Sequence, residues 1–594
     1  MPHSTTQIRP GRVAGYLWLV LLALVLLLSA RNAYRIALSV EEYPYACDSF
    51  GYLEMAKQMR EAGLSAPAHA FHIESEQTRL LVELMRSRGL PQTVWNNLVA
   101  PHAHHYFPQA DRVGVQYPPG TSAALALFDE GRAVYGLNRA VVWTLTLAGL
   151  AALIFAAVKR AWGSAALVVL GVHTGFEILA RVGAVSFSIN VVFVPLLLAC
   201  LLSLVALRMR AGSRRLLESL AVFGAGFCMG LATLVRHPSV FMTPAFVILL
   251  WRGVGRGGRG GRLREVWRGV PVLFLVGLAL GGLLPIFIHQ QLTAGAWYVS
   301  TYSPSVSVNL PTLEILRHNL SYYFGEPGWQ NEDNWVLPVV ALGFAGAVAF
   351  DRLRRRPGAQ EAPALSWKRL ALAAFALYAV PTAYFLTQKM TGLHYLMAQT
   401  FGLVVLAGFG ALAIESARTR QEEGGVRLGG ARLASATLAF VLALAPGAVV
   451  LRRAWTAREK APQTAPAQPL AHQPVVLPPE LADERAWVYA DLLTGTIWYY
   501  ARKPAFRIHF GHSAEARALV YRFAHERGEP QYIIRDNEGL KPLMDEIERL
   551  GGTFERRGQV EGQDYFLIRW PETGPRTSAA ATNPIDAPSQ QNPS

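Results

Sequence analysis

Long apolar runs, most of them close to 20 residues, recur along this chain and limit what it can fold into. A helix satisfies its own backbone polar groups in lipid, and about 20 apolar residues carry it across a bilayer. The runs lie at 15–30, 140–158, 164–180, 188–207, 216–235, 239–251, 270–288, 336–350, 370–386, 394–414 and 434–451. The sequence therefore predicts a polytopic α-helical membrane protein with about eleven transmembrane helices.

The distribution of charge predicts how these helices are oriented. The chain carries 56 Lys and Arg against 41 Asp and Glu, and in a soluble protein such an excess would suggest a nucleic-acid partner. Here the basic residues collect in short loops between apolar runs, at 208–215, 252–268 and 352–369, as cytoplasmic loops do. We therefore expect an integral membrane protein with a cytoplasmic N-terminus, an external C-terminus and no nucleic-acid partner.

Four segments follow from these patterns. Residues 1–452 form the transmembrane domain, which includes a long external loop at 31–138. A Pro-rich linker at 453–485 leads to strand-like and helix-like stretches that alternate over 486–570, which predicts a small external α/β domain. The tail at 571–594 is rich in Pro, Thr, Ser, Ala and Asn, and we expect it to be disordered.

The stretch 47–56, CDSFGYLEMA, follows the first apolar run after a short spacer. As a helix it places Asp48 and Tyr52 on one face, with the carboxylate at the helix N-terminus. Asp is also a favoured N-cap, so a purely structural role is the alternative for Asp48.

Three further stretches carry charged or aromatic residues near predicted outer helix ends. They are Tyr117-Pro118-Pro119-Gly120, then GLATLVR ending at Arg236, and His394-Tyr395-Leu396. An ionisable residue at the membrane edge is costly, which makes Arg236 and His394 candidates for function. Prolines at a helix start are ordinary capping, and an arginine at a helix end can simply snorkel, so both have structural alternatives.

Together with the spacing Asp-x-x-x-Tyr-x-Glu-x-Ala from Asp48, these stretches resemble the GT-C fold glycosyltransferases. The resemblance is to the bacterial branch related to protein O-mannosyltransferases and aminoarabinose transferases, close to glycosyltransferase family 39. It covers about 16–451 and implies a sugar donor linked to polyprenyl phosphate, a hydroxyl acceptor, inversion at the anomeric carbon, and membrane lipid as surroundings. It also implies Asp48 as the catalytic residue, and as substrate-binding residues Tyr52, Tyr117, Arg236, His394 and Tyr395.

A second acid that this family commonly has between its third and fourth helices is missing from residues 181–190. Its absence puts a two-carboxylate metal site in doubt. His102, His104 and His105 stand close together in the long loop and could hold a divalent metal ion instead. A solvated surface loop is the alternative reading of this histidine cluster.

Two other functions would fit a polytopic chain. A lipid or solute transporter or flippase shares the helix count and the charges near the membrane, but such proteins usually show internal repeats, and none is recognised here. A receptor-like assembly protein that uses its C-terminal domain for contacts would leave Asp48 dispensable.

Overall fold

The computed structural model describes residues 10–38, 40, 42–63, 71–182, 187–209, 215–251, 270–302, 312–325, 366–388, 393–422, 474–508 and 513–575. The predicted helices at 336–350 and 434–451 lie outside these residues, as do most of the linker and nearly all of the tail. Helices form most of the described chain up to residue 422, and the larger of two sheets lies beyond residue 486.

The described elements are numbered in chain order. The helices are α1 (Pro10–Leu38), α2 (Asp48–Ala62), α3 (Glu76–Ser87), α4 (Gln92–Trp95), α5 (Gly120–Leu125), α6 (Ala133–Lys159), α7 (Trp162–Val182), α8 (Phe187–Met209), α9 (Arg215–Val235), α10 (Thr243–Leu250), α11 (Val270–Leu278), α12 (Leu284–Ala294), α13 (Leu313–Leu320), α14 (Trp367–Leu386), α15 (Met397–Glu422), α16 (Pro479–Ala482), α17 (Thr494–Ala501), α18 (Ala514–Glu526) and α19 (Lys541–Arg549). The strands are β1 (His72–Ile73), β2 (His104–Phe107), β3 (Arg112–Val115), β4 (Trp487–Ala490), β5 (Ala505–Arg507), β6 (Gln531–Ile534), β7 (Thr553–Val560) and β8 (Gln563–Arg569).

Eight helices within the described residues are long and apolar enough to cross a membrane. They correspond to eight of the predicted runs and confirm a polytopic helical membrane protein. They are α1, α6, α7, α8, α9, the continuous pair α11 and α12, α14, and α15.

One predicted run forms a shorter and less regular helical segment than the others. The run at 239–251 begins within a 3-10 turn, His237–Met242, and continues as the short helix α10. Pro238 and Pro244 each lie in the first turn of one of these segments, where the missing amide proton is tolerated. The six 3-10 residues and eight α-helical residues extend over about 24 Å, somewhat less than the roughly 30 Å hydrocarbon core, so the segment is not among the eight long helices.

Glycines bring α9 unusually close to α11 and α12. A Cβ atom on Gly226 would lie 2.0 Å from the carbonyl oxygen of Phe274, and one on Gly281 would lie 2.3 Å from that of Phe227. Gly226 and Gly230 on α9 thus face Gly277 and Gly281, two small-xxx-small pairs of the kind that let membrane helices meet backbone to backbone. A π turn, Ala279–Leu283, joins α11 to α12 at this contact.

The segment between α1 and α6 folds over one end of the bundle. It contains α2 to α5 and a small antiparallel sheet in the order β1-β3-β2, in which His105 lies opposite Gly114. Helix α2 packs against α5, and the backbone of Gly120 at the start of α5 lies against the last turn of α9. The long loop of the sequence is therefore a structured layer that reaches the ends of the membrane helices.

The C-terminal residues form an α/β unit around a five-stranded sheet in the order β5-β4-β6-β8-β7. Strands β5, β4 and β6 are parallel, β8 runs antiparallel to β6 and β7, and Trp487, Tyr489 and Tyr521 are fully buried. The unit packs on the layer described above: the Thr496 hydroxyl donates to the Pro44 carbonyl at 2.7 Å. The unit and the layer therefore lie at the same end of the bundle.

Candidate active site

Asp48 is the first residue of α2, and its carboxylate does not cap that helix. The N-cap position is held by Cys47, which makes no capping hydrogen bond with its side chain, and the preceding Ala46 has a left-handed φ of 54°. The Tyr117 hydroxyl donates to Asp48 Oδ1 at 2.5 Å and lies 3.0 Å from Cys47 Sγ. The carboxylate therefore points toward another element, as a functional group would.

Tyr117 reaches Asp48 because α5 is fixed against α9. A Cβ atom on Gly120 would lie 2.7 Å from the backbone of Leu234, so only glycine allows this approach. The Ser122 hydroxyl of α5 donates to the Tyr52 carbonyl at 2.9 Å, and the rings of Tyr52 and Tyr117 stack at 4.4 Å. The Tyr-Pro-Pro-Gly stretch thus positions one tyrosine beside the carboxylate and against a second tyrosine.

Arg236 follows the last residue of α9 and lies in the same region. Its guanidinium carbon lies 5.4 Å from the ring centre of Tyr395 and 5.6 Å from that of Phe385, and these two rings stack on each other. The positive charge of Arg236 is close enough to influence the ionisation of Asp48. The guanidinium thus makes cation–π contacts inside the protein, and its role in binding a phosphate stays a prediction.

Burial raises the pKa of the Asp48 carboxyl above its ordinary value. The hydrogen bond from Tyr117 and the charge of Arg236 act in the opposite direction and lower it. A carboxylate whose affinity for a proton is increased in this way is a better general base than an exposed one.

Two further side chains lie in this region, and neither was predicted from the sequence. Burial raises the pKa of Tyr302 well above its ordinary value, and its ring meets Tyr117 edge-on at 5.9 Å. The ring of His237, next to Arg236, lies 5.6 Å from the Tyr302 ring. His237 adjoins a residue already singled out, whereas nothing in the local sequence of Tyr302 indicates that it reaches the site.

The histidine cluster is buried rather than a solvated surface, and its three rings hydrogen-bond to three different groups. His102, His104 and His105 are each at most 5% exposed. The His102 Nε2 donates to Asp491 at 3.1 Å, His104 Nδ1 to the His102 carbonyl at 3.0 Å, and His105 Nε2 to Gln116 at 2.6 Å. Among the described residues, no three His, Cys, Asp or Glu side chains come together as metal ligands. Each ring hydrogen-bonds to a different partner, so the three rings do not converge in the described structure, and a requirement for a divalent metal ion stays a prediction.

Two sequence-based expectations cannot be placed in the site. His394 lies in the 3-10 turn Leu393–Leu396 beside Tyr395, but its side chain is outside the described part of the chain. Residues 183–186, in the loop where the second acid is missing, are outside it too. Asp48, Tyr52, Tyr117, Arg236 and Tyr395 are the predicted residues that the structure brings together.

This arrangement offers a proton acceptor and a fixed cation in one protein-lined region. Asp48 can take a proton from a neutral hydroxyl, and Arg236 can pair with an anionic group that lies across the site. The tyrosine rings provide flat faces and hydroxyls between them, which suit a polyhydroxy ligand.

Two solved structures are similar to this chain over most of its length. The crystal structure of ArnT from Cupriavidus metallidurans in the apo state is 13% identical with a TM-score of 0.39, over 93% of this chain and 98% of that chain. The archaeal oligosaccharyltransferase AglB from Archaeoglobus fulgidus, in complex with an inhibitory peptide and a dolichol-phosphate, is 14% identical with a TM-score of 0.32, over 85% and 72%. No protein family and no curated protein matches by sequence. Likeness of this degree leaves the function to be argued from the residues of the site.

Proposed function

We propose that this chain is an integral-membrane glycosyltransferase of the GT-C fold. It moves a sugar from a polyprenyl-phosphate carrier to a hydroxyl of an envelope lipid, glycan or protein. The observation that carries the proposal is that two contacts bring Asp48 and the Arg236 end of α9 to one end of the helix bundle. The Tyr117 hydroxyl donates to Asp48, and Gly120, three residues after Tyr117, lies against the backbone of Leu234. Transfer from a lipid phosphate needs both a base for the acceptor and a cation for the leaving group.

The reaction follows from the positions of these two charges. The acceptor oxygen bonds to the anomeric carbon, and the bond from that carbon to the phosphate oxygen breaks. Asp48 takes the hydroxyl proton, and the polyprenyl phosphate departs with the bonding electron pair. Arg236 stabilises its charge, with His394 as the second cation of the proposal. A single displacement of this kind inverts the anomeric configuration.

The tyrosines give the proposal its binding surface. Tyr52 and Tyr117 stack beside Asp48, and the Tyr395 ring lies 5.4 Å from the Arg236 guanidinium carbon. Their ring faces and hydroxyls suit a sugar held between the carboxylate and the cation. A divalent ion on Asp48 stays a prediction that titration of the activity with a chelator tests, and no step above depends on it.

The proposed orientation puts the reaction on the external face of the inner membrane. Asp48 follows α1, so a cytoplasmic N-terminus places α2 and the α/β unit outside. The polyprenyl chain of the donor then lies in the outer leaflet, with its phosphate at the depth of the helix ends near Arg236.

Replacing Asp48 by Asn tests the function directly, because the change removes the base and keeps the shape. We expect transfer from a radiolabelled polyprenyl-phosphate sugar to fall about 10²- to 10⁴-fold, the usual contribution of a general base. The matched control is Asp111→Asn, an exposed carboxylate of the same layer that pairs with Arg86. Both variants are compared in nanodiscs at equal folded concentration, and NMR of the product reports the anomeric configuration.

Near-wild-type turnover by a folded Asp48→Asn variant would remove the proposed base. Movement of a labelled lipid across proteoliposomes without any sugar transfer would instead support the transporter alternative.

A further inference from the structure

Helix α2, which begins at Asp48, packs directly against helix α17 of the C-terminal unit. A Cβ atom on Gly495 in α17 would lie 2.3 Å from the ring of Phe50, and Phe50 is fully buried. Real Cβ atoms do not come this close to a ring, so the spacing between the two helices depends on a glycine at this position. The contact lies within one helical turn of Asp48.

An ion pair between a buried carboxylate and a partly exposed arginine connects the same two elements farther along α2. Arg502, just after α17, donates to Glu54 Oε1 at 2.6 Å, and the Glu54 side chain is 1% exposed. A carboxylate this buried needs its partner, because removing one member of a buried pair leaves an uncompensated charge. Beside this pair, Lys57 meets Glu130 at 3.2 Å, and Glu130 also accepts from the Tyr499 hydroxyl.

The other side of α2 is connected to the C-terminal unit through the loop before β2. His102 donates to Asp491, which follows β4 and also accepts from Arg507 at 3.1 Å and from Asn537 at 2.7 Å. The next residue, Ala103, lies close to Gly51 in α2. A Cβ atom on Gly51 would lie 2.6 Å from the Cβ atom of Ala103. The unit therefore holds α2 on one side directly and on the other through His102.

From these contacts we infer that the C-terminal α/β unit is a positioning element for the Asp48 helix. Gly495, Arg502 and Asp491 are its positioning residues, and none of them is seen to contact Asp48, Tyr117 or Arg236. The unit sets where the carboxylate stands relative to the cation, which is fixed separately at the end of α9. The catalytic part of this inference rests on the proposed function.

The substitution Gly495→Ala tests the inference without removing a charge or a hydrogen-bonding side chain. Ala is a good helix former, so α17 itself keeps its shape, while the new methyl group pushes Phe50 and α2 away. In the full-length protein we expect kcat to fall about 10- to 100-fold, as for a small misplacement of a reacting group, with KM for the lipid donor unchanged. The control is Ala501→Ser, on the exposed end of the same helix, which should leave both constants unchanged.

A compensating change distinguishes displacement from general damage. Phe50→Leu removes ring volume opposite the new methyl group, so the double variant Gly495→Ala/Phe50→Leu should recover most of the lost kcat. Loss of kcat in Gly495→Ala with no recovery in a folded double variant would overturn the inference, as would unchanged kcat in Gly495→Ala.

The reactivity of Cys47 gives a readout that needs no transfer assay. Its thiol lies 3.1 Å from Gln116 Nε2 and 3.0 Å from the Tyr117 hydroxyl, and burial raises its pKa to about 11. With Cys200 and Cys228 replaced by Ala, a soluble thiol reagent should modify Cys47 at least several times faster in Gly495→Ala than in the parent or in Ala501→Ser. Equal rates would overturn the positioning role even if the protein proves to be no transferase, whereas faster labelling without any transfer activity would refute the proposed function alone.

Discussion

Tyr117 determines, at the scale of single residues, how readily Asp48 holds a proton. Burial raises the pKa of the carboxyl, and the hydrogen bond from the Tyr117 hydroxyl offsets part of that rise. Tyr117→Phe removes the donor and keeps the ring that stacks on Tyr52. The ionised carboxylate loses a hydrogen bond that stabilises it, so the pKa of Asp48 should rise further.

The pH dependence of kcat/KM tests whether the pKa of Asp48 rises in Tyr117→Phe. Asp48 acts as a base only when ionised, so the acidic limb should move to higher pH in Tyr117→Phe, with the greatest loss of rate below neutrality. Tyr532→Phe, in the distant sheet, is the matched control. An acidic limb at the wild-type position would mean that Asp48 is not the group that titrates.

Local spacing in the sequence predicted which residues lie close together. It did not establish the role of each residue. Asp48, Tyr52, Tyr117, Arg236 and Tyr395 come together, because each stands at a predicted helix end on one side of the bundle. Their catalytic and binding roles stay predictions. The burial of the histidine cluster could not be predicted from the sequence, because the partners Gln116, Asp491 and the His102 carbonyl are brought to the three rings by the fold.

At the scale of elements, the contact between α9 and the pair α11 and α12 fixes the end of α9 that carries Arg236. We expect Gly226→Ala to destabilise the protein by about 1 to 3 kcal/mol, the usual cost of overpacking, because the Phe274 backbone would have to move. Gly224→Ala on the same helix is the control, since its methyl group meets only the side chain of Leu202, at 3.1 Å. Thermal unfolding in detergent gives the midpoint of each variant. Equal midpoints for Gly226→Ala and Gly224→Ala would contradict the backbone-to-backbone contact.

Hydropathy located the eight long membrane helices of the described residues, because the length of an apolar run can be read directly from the sequence. At 239–251 hydropathy located an apolar segment but not its irregularity, because prolines divide it into a 3-10 turn and a short helix. The alternating pattern beyond 486 indicated strands and helices, but the docking of Gly495 on Phe50 depends on which faces meet in space, and no local pattern encodes that.

At the scale of the whole molecule, the α/β unit and the layer that carries Asp48 lie at one end of the bundle. Cysteines placed at Glu83 on α3 and Glu548 on α19 should therefore react alike with an impermeant thiol reagent in intact cells, after the three native cysteines are replaced by Ala. A cysteine at Arg215, at the start of α9, should react only after lysis, because α9 runs to the Arg236 end. Different labelling of Glu83→Cys and Glu548→Cys would contradict the common side, and labelling of Arg215→Cys alone in intact cells would reverse the proposed orientation.

The pairing of Arg502 with Glu54 also has a consequence for biosynthesis. The two residues are 448 positions apart, and at about 5 to 20 residues per second the ribosome needs about 20 to 90 s to add the second after the first. By the time Arg502 is added, every membrane helix described here has already been synthesised. Throughout that interval Glu54 lacks Arg502 as its partner. A polypeptide cut short before α17 would thus enter the membrane with its cation and its carboxylate present but unaligned, so the last part of the chain to be synthesised decides when the enzyme becomes active.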